Sequence, residues 1–212
     1  MDNNQKQKSR KQVRVLLFGY LFFLFIGCED KTPTLSPLAD GAVVLAFGDS
    51  LTFGTGAESG TRYPELLEGM IHRSVINSGI AGELTHGGLK RLPGLLEDLQ
   101  PSLLILCHGG NDLLKKTGEN QAADNIRSMI KLARNEGIGV VLIGVPRPDL
   151  SFSAPLFYKE IAEEFNIPYE EEVLANILSK RELKSDRVHP NGDGYRKLAE
   201  GIATLLKKAR AI

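Results

Sequence analysis

Val43-Val44-Leu45-Ala46-Phe47-Gly48-Asp49-Ser50-Leu51-Thr52-Phe53-Gly54 is the stretch whose reading decides the fold. Apolar strand formers run unbroken to Gly48, and a serine follows two residues later. Such a run, bounded by turn residues, suits a strand buried on both faces, as in a parallel sheet. Ser50 then stands on the turn at the carboxyl end of a central strand, where open α/β sheets place their ligand sites. Gly48 to Thr52 depart from the G-x-S-x-G nucleophile elbow, because Thr52 replaces the second glycine. The presented serine survives without that particular turn.

A serine hydroxyl is a poor nucleophile unless a general base takes its proton and a third group orients that base. Asp186-Arg187-Val188-His189-Pro190 puts a carboxylate three residues before a histidine. Gly109-Gly110-Asn111-Asp112 follows the apolar run Leu103-Leu104-Ile105-Leu106, and Asn77-Ser78-Gly79-Ile80-Ala81-Gly82 follows Ser74-Val75-Ile76. Each group ends or follows an expected strand, or precedes the last helix, so one edge of the sheet could gather them all. Of the four histidines, His72 and His86 fall within helical stretches and His108 has no nearby upstream carboxylate. His189 is therefore the candidate base and Asp186 its orienting acid, with a salt bridge to Arg187 as the acid's alternative role. Pro190 can open the final helix and leave His189 on a loop.

Gly48-Asp49-Ser50-Leu51, Gly82, Gly110-Asn111-Asp112 and Asp186-x-x-His189 together resemble the four blocks of the SGNH, or GDSL, hydrolases. The resemblance runs from about residue 43 to about residue 209, and four blocks in order are far more specific than any one. Gly79 to Leu99 and Gly109 to Leu114 look like the bacterial thioesterase I, lysophospholipase and arylesterase branch. One departure is Glu83-Leu84, where that branch more often shows an Asp-Thr pair. The resemblance implies Ser50 as nucleophile, with the Ser50 N–H, the Gly82 N–H and the Asn111 amide as oxyanion donors. Physically, Gly82 allows close backbone approach and Asn111 donates without bringing a charge. Asn111-Asp112 alone could be an ordinary turn, so its role rests on co-occurrence. Asp49 and Asp112 are expected to brace loops.

The chain has 212 residues, 42% of them apolar, which suits one domain with a single core. Formal net charge is zero, so nothing points to nucleic acid. Residues 1–27 hold five basic residues and one acid, which leaves 21 basic and 25 acidic residues of the 26 and 26 for the rest. Lys6 to Arg14 form a basic region and Val15 to Gly27 an apolar stretch of thirteen residues. That is short of the ~20 residues a spanning helix needs and matches a signal-peptide core. Phe25-Ile26-Gly27-Cys28 resembles a bacterial lipobox, so residues 1–27 are expected to be a signal peptide and Cys28 a lipidated residue anchored in the cell envelope. Residues 28–40, with Pro33 and Pro37, read as a flexible tether, and 41–212 as the hydrolase domain. Cys107, at the end of an apolar run, is expected to be a small core residue.

Helical spacing marks Arg62 to His72, Glu119 to Asn135, Pro155 to Phe165, Glu171 to Ser179 and Asp193 to Ala209. Leu84 to Gln100 is also helical, with Gly87, Gly88 and Pro93 expected to split it. Strands are expected at Ser74–Asn77, Leu103–Cys107, Val140–Val145 and Ile167–Tyr169 besides the first. Alternating strands and helices predict a three-layer α/β fold around a five-stranded parallel sheet. Gly48 to Thr55 lacks the Lys-[Ser/Thr] of a phosphate-binding loop, and Asp186-x-x-His189 has no second cluster with metal-ligand spacing. No cofactor is expected. The expected function is a serine esterase acting on acyl esters or thioesters. Its alternatives are a carbohydrate O-acetyl esterase and a non-catalytic lipoprotein that binds acylated ligands.

Overall fold

The computed structural model describes residues 32–148 and 152–212. Cys28 and the expected signal peptide lie outside the described residues. Five strands form one parallel sheet: β1 Val43–Gly48, β2 Ser74–Gly79, β3 Leu103–Cys107, β4 Gly139–Ile143 and β5 Tyr169–Glu170. Their spatial order is β2-β1-β3-β4-β5, so the order reverses between β1 and β3. A crevice opens outside the carboxyl ends of the strands at such a switch point. The central strands are apolar along their length because helices cover both faces, and every residue of Leu103–Cys107 is buried.

The helices are α1 Ser50–Phe53, α2 Tyr63–Ile71, α3 Thr85–Leu99, α4 Gly110–Lys115, α5 Glu119–Asn135, α6 Leu156–Phe165, α7 Val173–Ser179 and α8 Gly192–Lys208. One layer joins α2, α7 and α8; the other joins α3, α5 and α6. In α5, Ala122, Ile126, Met129, Ile130 and Ala133 recur at helical spacing and are all buried.

Several expectations change in the structure. The stretch expected to split is one continuous helix, α3. Pro93 lies on its exposed face, where water can satisfy the carbonyl that loses its partner one turn earlier. Gly88 lies on the buried face, where a Cβ would stand 2.5 Å from His108 Nε2. The fifth strand begins at Tyr169 rather than Ile167 and takes its ladder bonds at Pro168 and Glu170. The final helix is capped by Asn191, whose side chain accepts the Gly194 N–H at 3.0 Å, so Pro190 precedes the cap instead of opening the helix.

Residues 32–40 are not a free tether. The Leu35 and Leu38 N–H groups donate to the carbonyls of Ala209 and Ala211, both at 2.8 Å. Arg73 donates to the Leu38 carbonyl and pairs with Asp40 at 2.9 Å. Leu38 joins the core as the one buried side chain of residues 32–40. Leu38→Ala should therefore cost about 2–3 kcal/mol of unfolding free energy, as burial loss and a cavity combine. Urea unfolding of the two proteins checks this, and equal midpoints would return the segment to a tether.

Candidate active site

Ser50 is the first residue of α1, directly after β1. Asp49 caps that turn, its Oδ1 accepting the Leu51 N–H at 3.1 Å. Burial pushes the Asp49 carboxyl above its ordinary range. The Tyr195 hydroxyl donates to the Thr55 carbonyl at 2.9 Å, and the Tyr63 hydroxyl lies 3.2 Å from Thr52 Oγ1. Buried aromatics of α8 and α2 thus hold the turn that presents the serine.

His189 Nε2 lies 2.9 Å from Ser50 Oγ, and His189 Nδ1 lies 2.7 Å from Asp186 Oδ2. With Nδ1–H donating to the carboxylate, Nε2 is left as the acceptor for the serine proton. The spacing of three has a local cause. Asp186 Oδ1 accepts the backbone N–H groups of Val188 and His189 at 2.8 and 2.9 Å, folding the loop so that Oδ2 meets the ring. A bridge between Lys184 and Pro190 closes that loop, and the Ser185 N–H donates to the His189 carbonyl at 3.0 Å. Burial would raise the Asp186 carboxyl, but the hydrogen bonds from His189 and Val188 outweigh it and hold the carboxyl below its ordinary range. Asp186 pairs with His189 and, among the described residues, forms no ion pair with Arg187.

Ser50, Asn111 and His189 line one open cleft. Its other walls are largely apolar, with Leu114, Val145, Pro146, Phe152, Leu178 and Val188, while Arg147 and Arg187 stand at its edge. Gly82 is not among the lining residues. It occupies a turn closed by the Glu83 N–H donating to the Ile80 carbonyl at 3.2 Å. Its φ of +80° is the reason for glycine there, because a Cβ would meet nothing within 4 Å. The positive φ gives Gly82 a conformational reason for being glycine, beside the close approach expected of it. The turn is joined to the cleft through Asn111, whose Nδ2 donates to the Glu83 carbonyl at 3.0 Å.

Asp112 braces a loop, as expected: it accepts the Thr85 N–H at 2.9 Å and the Thr85 hydroxyl at 2.8 Å. Cys107 is buried in the core. Sequence reasoning missed a group formed by Glu83, Arg91 and His108, in which Glu83 binds both partners. His108 does have a carboxylate, but one distant along the chain, and local spacing carries no trace of it. Among the described residues, no group of three or more His, Cys, Asp or Glu side chains is placed to hold a metal ion.

A serine, a histidine and an aspartate in this relay, at the switch point of a parallel sheet, define a serine hydrolase. The profile of the GDSL-like Lipase/Acylhydrolase family matches residues 46–197, and the chain belongs to that family. It is 36% identical over 120 residues to "Esterase TesA" of Pseudomonas aeruginosa, covering 54% of this chain and 59% of that protein's length. It is 29% identical over 177 residues to "Thioesterase 1/protease 1/lysophospholipase L1" of Escherichia coli K12, covering 77% of this chain and 83% of that protein. The solved structure of the psychrotrophic esterase EstA from Pseudoalteromonas sp. has the same fold. It superposes with a TM-score of 0.69 at 23% identity, over 78% of this chain and 97% of that one.

Asp186→Asn should lower kcat at least about tenfold with KM nearly unchanged, the signature of an interaction made only in the transition state. The folded carboxyl binds its proton less tightly than the unfolded one, so its contribution to stability is present above the ordinary carboxylate pKa. It is lost as pH falls through the lowered folded value. The stability difference between wild type and Asp186→Asn should accordingly be constant above about pH 4 and vanish on further acidification. Chemical unfolding across that range checks the sign.

Proposed function

We propose that this hydrolase cleaves acyl esters or thioesters of lysophospholipid, acyl-thioester or aryl-ester type through an acyl-enzyme on Ser50. The observation that carries the reading is Ser50 Oγ at 2.9 Å from His189 Nε2, with Asp186 at 2.7 Å behind the ring. As Ser50 Oγ bonds to the acyl carbon, its proton passes to Nε2 and the carbonyl electrons move onto oxygen. When the carbonyl re-forms, the bond to the leaving alcohol or thiol breaks and that group takes the proton from His189. A water then adds in the same way, giving its proton to His189; the Ser50 bond breaks, Ser50 regains the proton and the carboxylic acid leaves. The Ser50 N–H, the Gly82 N–H and the second amide proton of Asn111 are assigned as donors to the oxyanion. Loss of one such donor typically costs ~3 kcal/mol of transition-state stabilisation.

The apolar cleft walls favour an acyl chain over a bare acetyl group on a sugar, since an acetyl would leave most of that surface wet. The names of the relatives, an esterase and a thioesterase/lysophospholipase, support the same substrate range. We also propose that Cys28 carries a lipid, on the strength of the basic and apolar stretches before Gly27-Cys28. Among the described residues, no helix is long and apolar enough to cross a membrane. Leu35 is bonded at the far end of α8 from the cleft, and that 17-residue helix is ~25 Å long at ~1.5 Å per residue.

A fluorophosphonate probe should label wild type and leave Ser50→Ala unlabelled, with esterase activity lost and the unfolding midpoint unchanged. Labelling of both proteins would locate the nucleophile elsewhere, and labelling of neither would favour the non-catalytic binder. Metabolic incorporation of a clickable palmitate should mark wild type and not Cys28→Ala; equal marking of the two would remove the anchor.

A further inference from the structure

Glu83 is the residue at which the chain departs from the resemblance, and the reaction sequence makes no direct use of it. Its side chain is nonetheless one of the most heavily bonded near the site. Arg91, on α3, donates from Nε to both carboxylate oxygens at 2.8 and 3.1 Å and from Nη2 to Oε2 at 2.7 Å. His108 Nε2 lies 3.2 Å from the same Oε2. The Gly109 N–H donates to His108 Nδ1 at 3.0 Å, so the neutral ring carries its proton on Nε2 and donates to Glu83. The carboxylate is only 11% exposed and the histidine fully buried, so these bonds are little screened by water.

Arg91 does more than neutralise Glu83. Its Nη1 donates to Ser78 Oγ at 2.8 Å, and its Nη2 donates to the Ser78 carbonyl at 2.9 Å and the Gly48 carbonyl at 3.3 Å. Its guanidinium lies 4.0 Å from the centre of the Phe47 ring. One planar cation therefore touches the end of β1 just before the nucleophile, the end of β2, and the turn that carries Gly82. The Ile80 N–H donates to the Gly48 carbonyl at 3.1 Å, the same oxygen Arg91 reaches. On its other side, the Glu83 carbonyl receives the Asn111 amide.

We infer that the Glu83–Arg91 pair, backed by His108, is a positioning device that fixes the Gly82 turn and the Asn111 amide relative to Ser50. This rests on the serine-esterase reading above. Only a fixed turn can hold preset donors where negative charge develops, and misplacement by ~1 Å can cost on the order of a hundredfold in rate. Glutamine at position 83 could keep its single oxygen where His108 and Arg91 Nη2 meet Oε2, but its NH₂ would then face the Arg91 Nε–H, donor against donor. Lysine at position 91 would keep the charge and lose the fork that spans Gly48, Ser78 and Glu83 at once. Burial opposes the Glu83 charge, yet the bonds from His108 and Arg91 outweigh it and lower the carboxyl to about 2. The Glu83 carboxyl therefore stays ionised at neutral pH.

The test compares Glu83→Gln and Arg91→Lys with wild type in the full-length protein, normalising activity to the fraction of Ser50 that reacts with a fluorophosphonate. A p-nitrophenyl ester gives kcat and KM. A trifluoromethyl ketone gives the affinity for a tetrahedral oxyanion, because Ser50 Oγ adds reversibly to its carbonyl carbon and the serine proton goes to His189. Fatty acid product inhibition reports ground-state binding. Glu83→Gln should lose about ten- to a hundredfold in kcat and a similar factor in ketone affinity, with KM and the product inhibition constant within about threefold. Arg91→Lys should show the same pattern, and it decides the matter if Glu83→Gln yields too little folded protein. A kcat within about threefold of wild type, or a lost kcat with unchanged ketone affinity, would overturn the positioning role. A wild type that neither hydrolyses the ester nor reacts with the fluorophosphonate would overturn the esterase reading instead, and an active Ser50→Ala would overturn Ser50 as its nucleophile, so these failures are told apart from failure of the positioning role.

Discussion

Three strand ends meet around one small residue. A Cβ on Gly48 would stand 1.9 Å from the Cys107 carbonyl oxygen and 2.5 Å from Thr52 Oγ1, so any side chain there would force β1 and β3 apart. The turn carrying Ser50 starts from that point, and the Gly48 carbonyl receives both the Ile80 N–H and Arg91. The Ser50 turn, the Gly82 turn and Arg91 are thus referred to a single stretch of backbone. Sub-ångström agreement between groups from distant segments is plausible only with such a common reference, because packed interiors do not deform continuously.

Polar groups below the cleft follow from the same crowding. Asp49, Asn111, Asp112, Thr85 and His108 are all buried, in a region where an unpaired polar group costs heavily. Most are bonded to the backbone or to each other, and several of the bonds run between segments: Thr85 to Asp112, Asn111 to Glu83, Tyr158 to the His108 carbonyl. The apolar layers set the fold, while these bonds set the relative heights of the loops. Asp186 solves a different problem in a more exposed loop. It bonds its own backbone and His189 together, so triad geometry there depends on local folding more than on burial.

Two structural surprises share a cause. Residues 32–40, rich in polar residues and proline, look like a tether because only Leu35 and Leu38 are apolar anchors and their acceptors lie at the far end of the chain. Likewise α3 looks breakable, because Gly87, Gly88 and Pro93 weaken any isolated helix. In the folded protein Leu92 and Leu96 are fully buried, and that packing outweighs propensity.

By itself the sequence determined the alternation of strands and helices, the position of Ser50 after a doubly buried strand, and the Asp186–His189 pair. Those features are local: hydrophobic period, turn chemistry, and a spacing of three that lets one carboxylate hold both the loop backbone and the ring. The tertiary structure alone decided which strand neighbours which, that His189 reaches Ser50 across 139 residues of chain, and that His108 has Glu83 as its partner. It also showed that Gly82 sits at a φ of +80°, where glycine is favoured. These depend on contacts between segments far apart in sequence. Their geometry is fixed by how layers pack and where strand ends converge, and no local pattern of residue types encodes that distance.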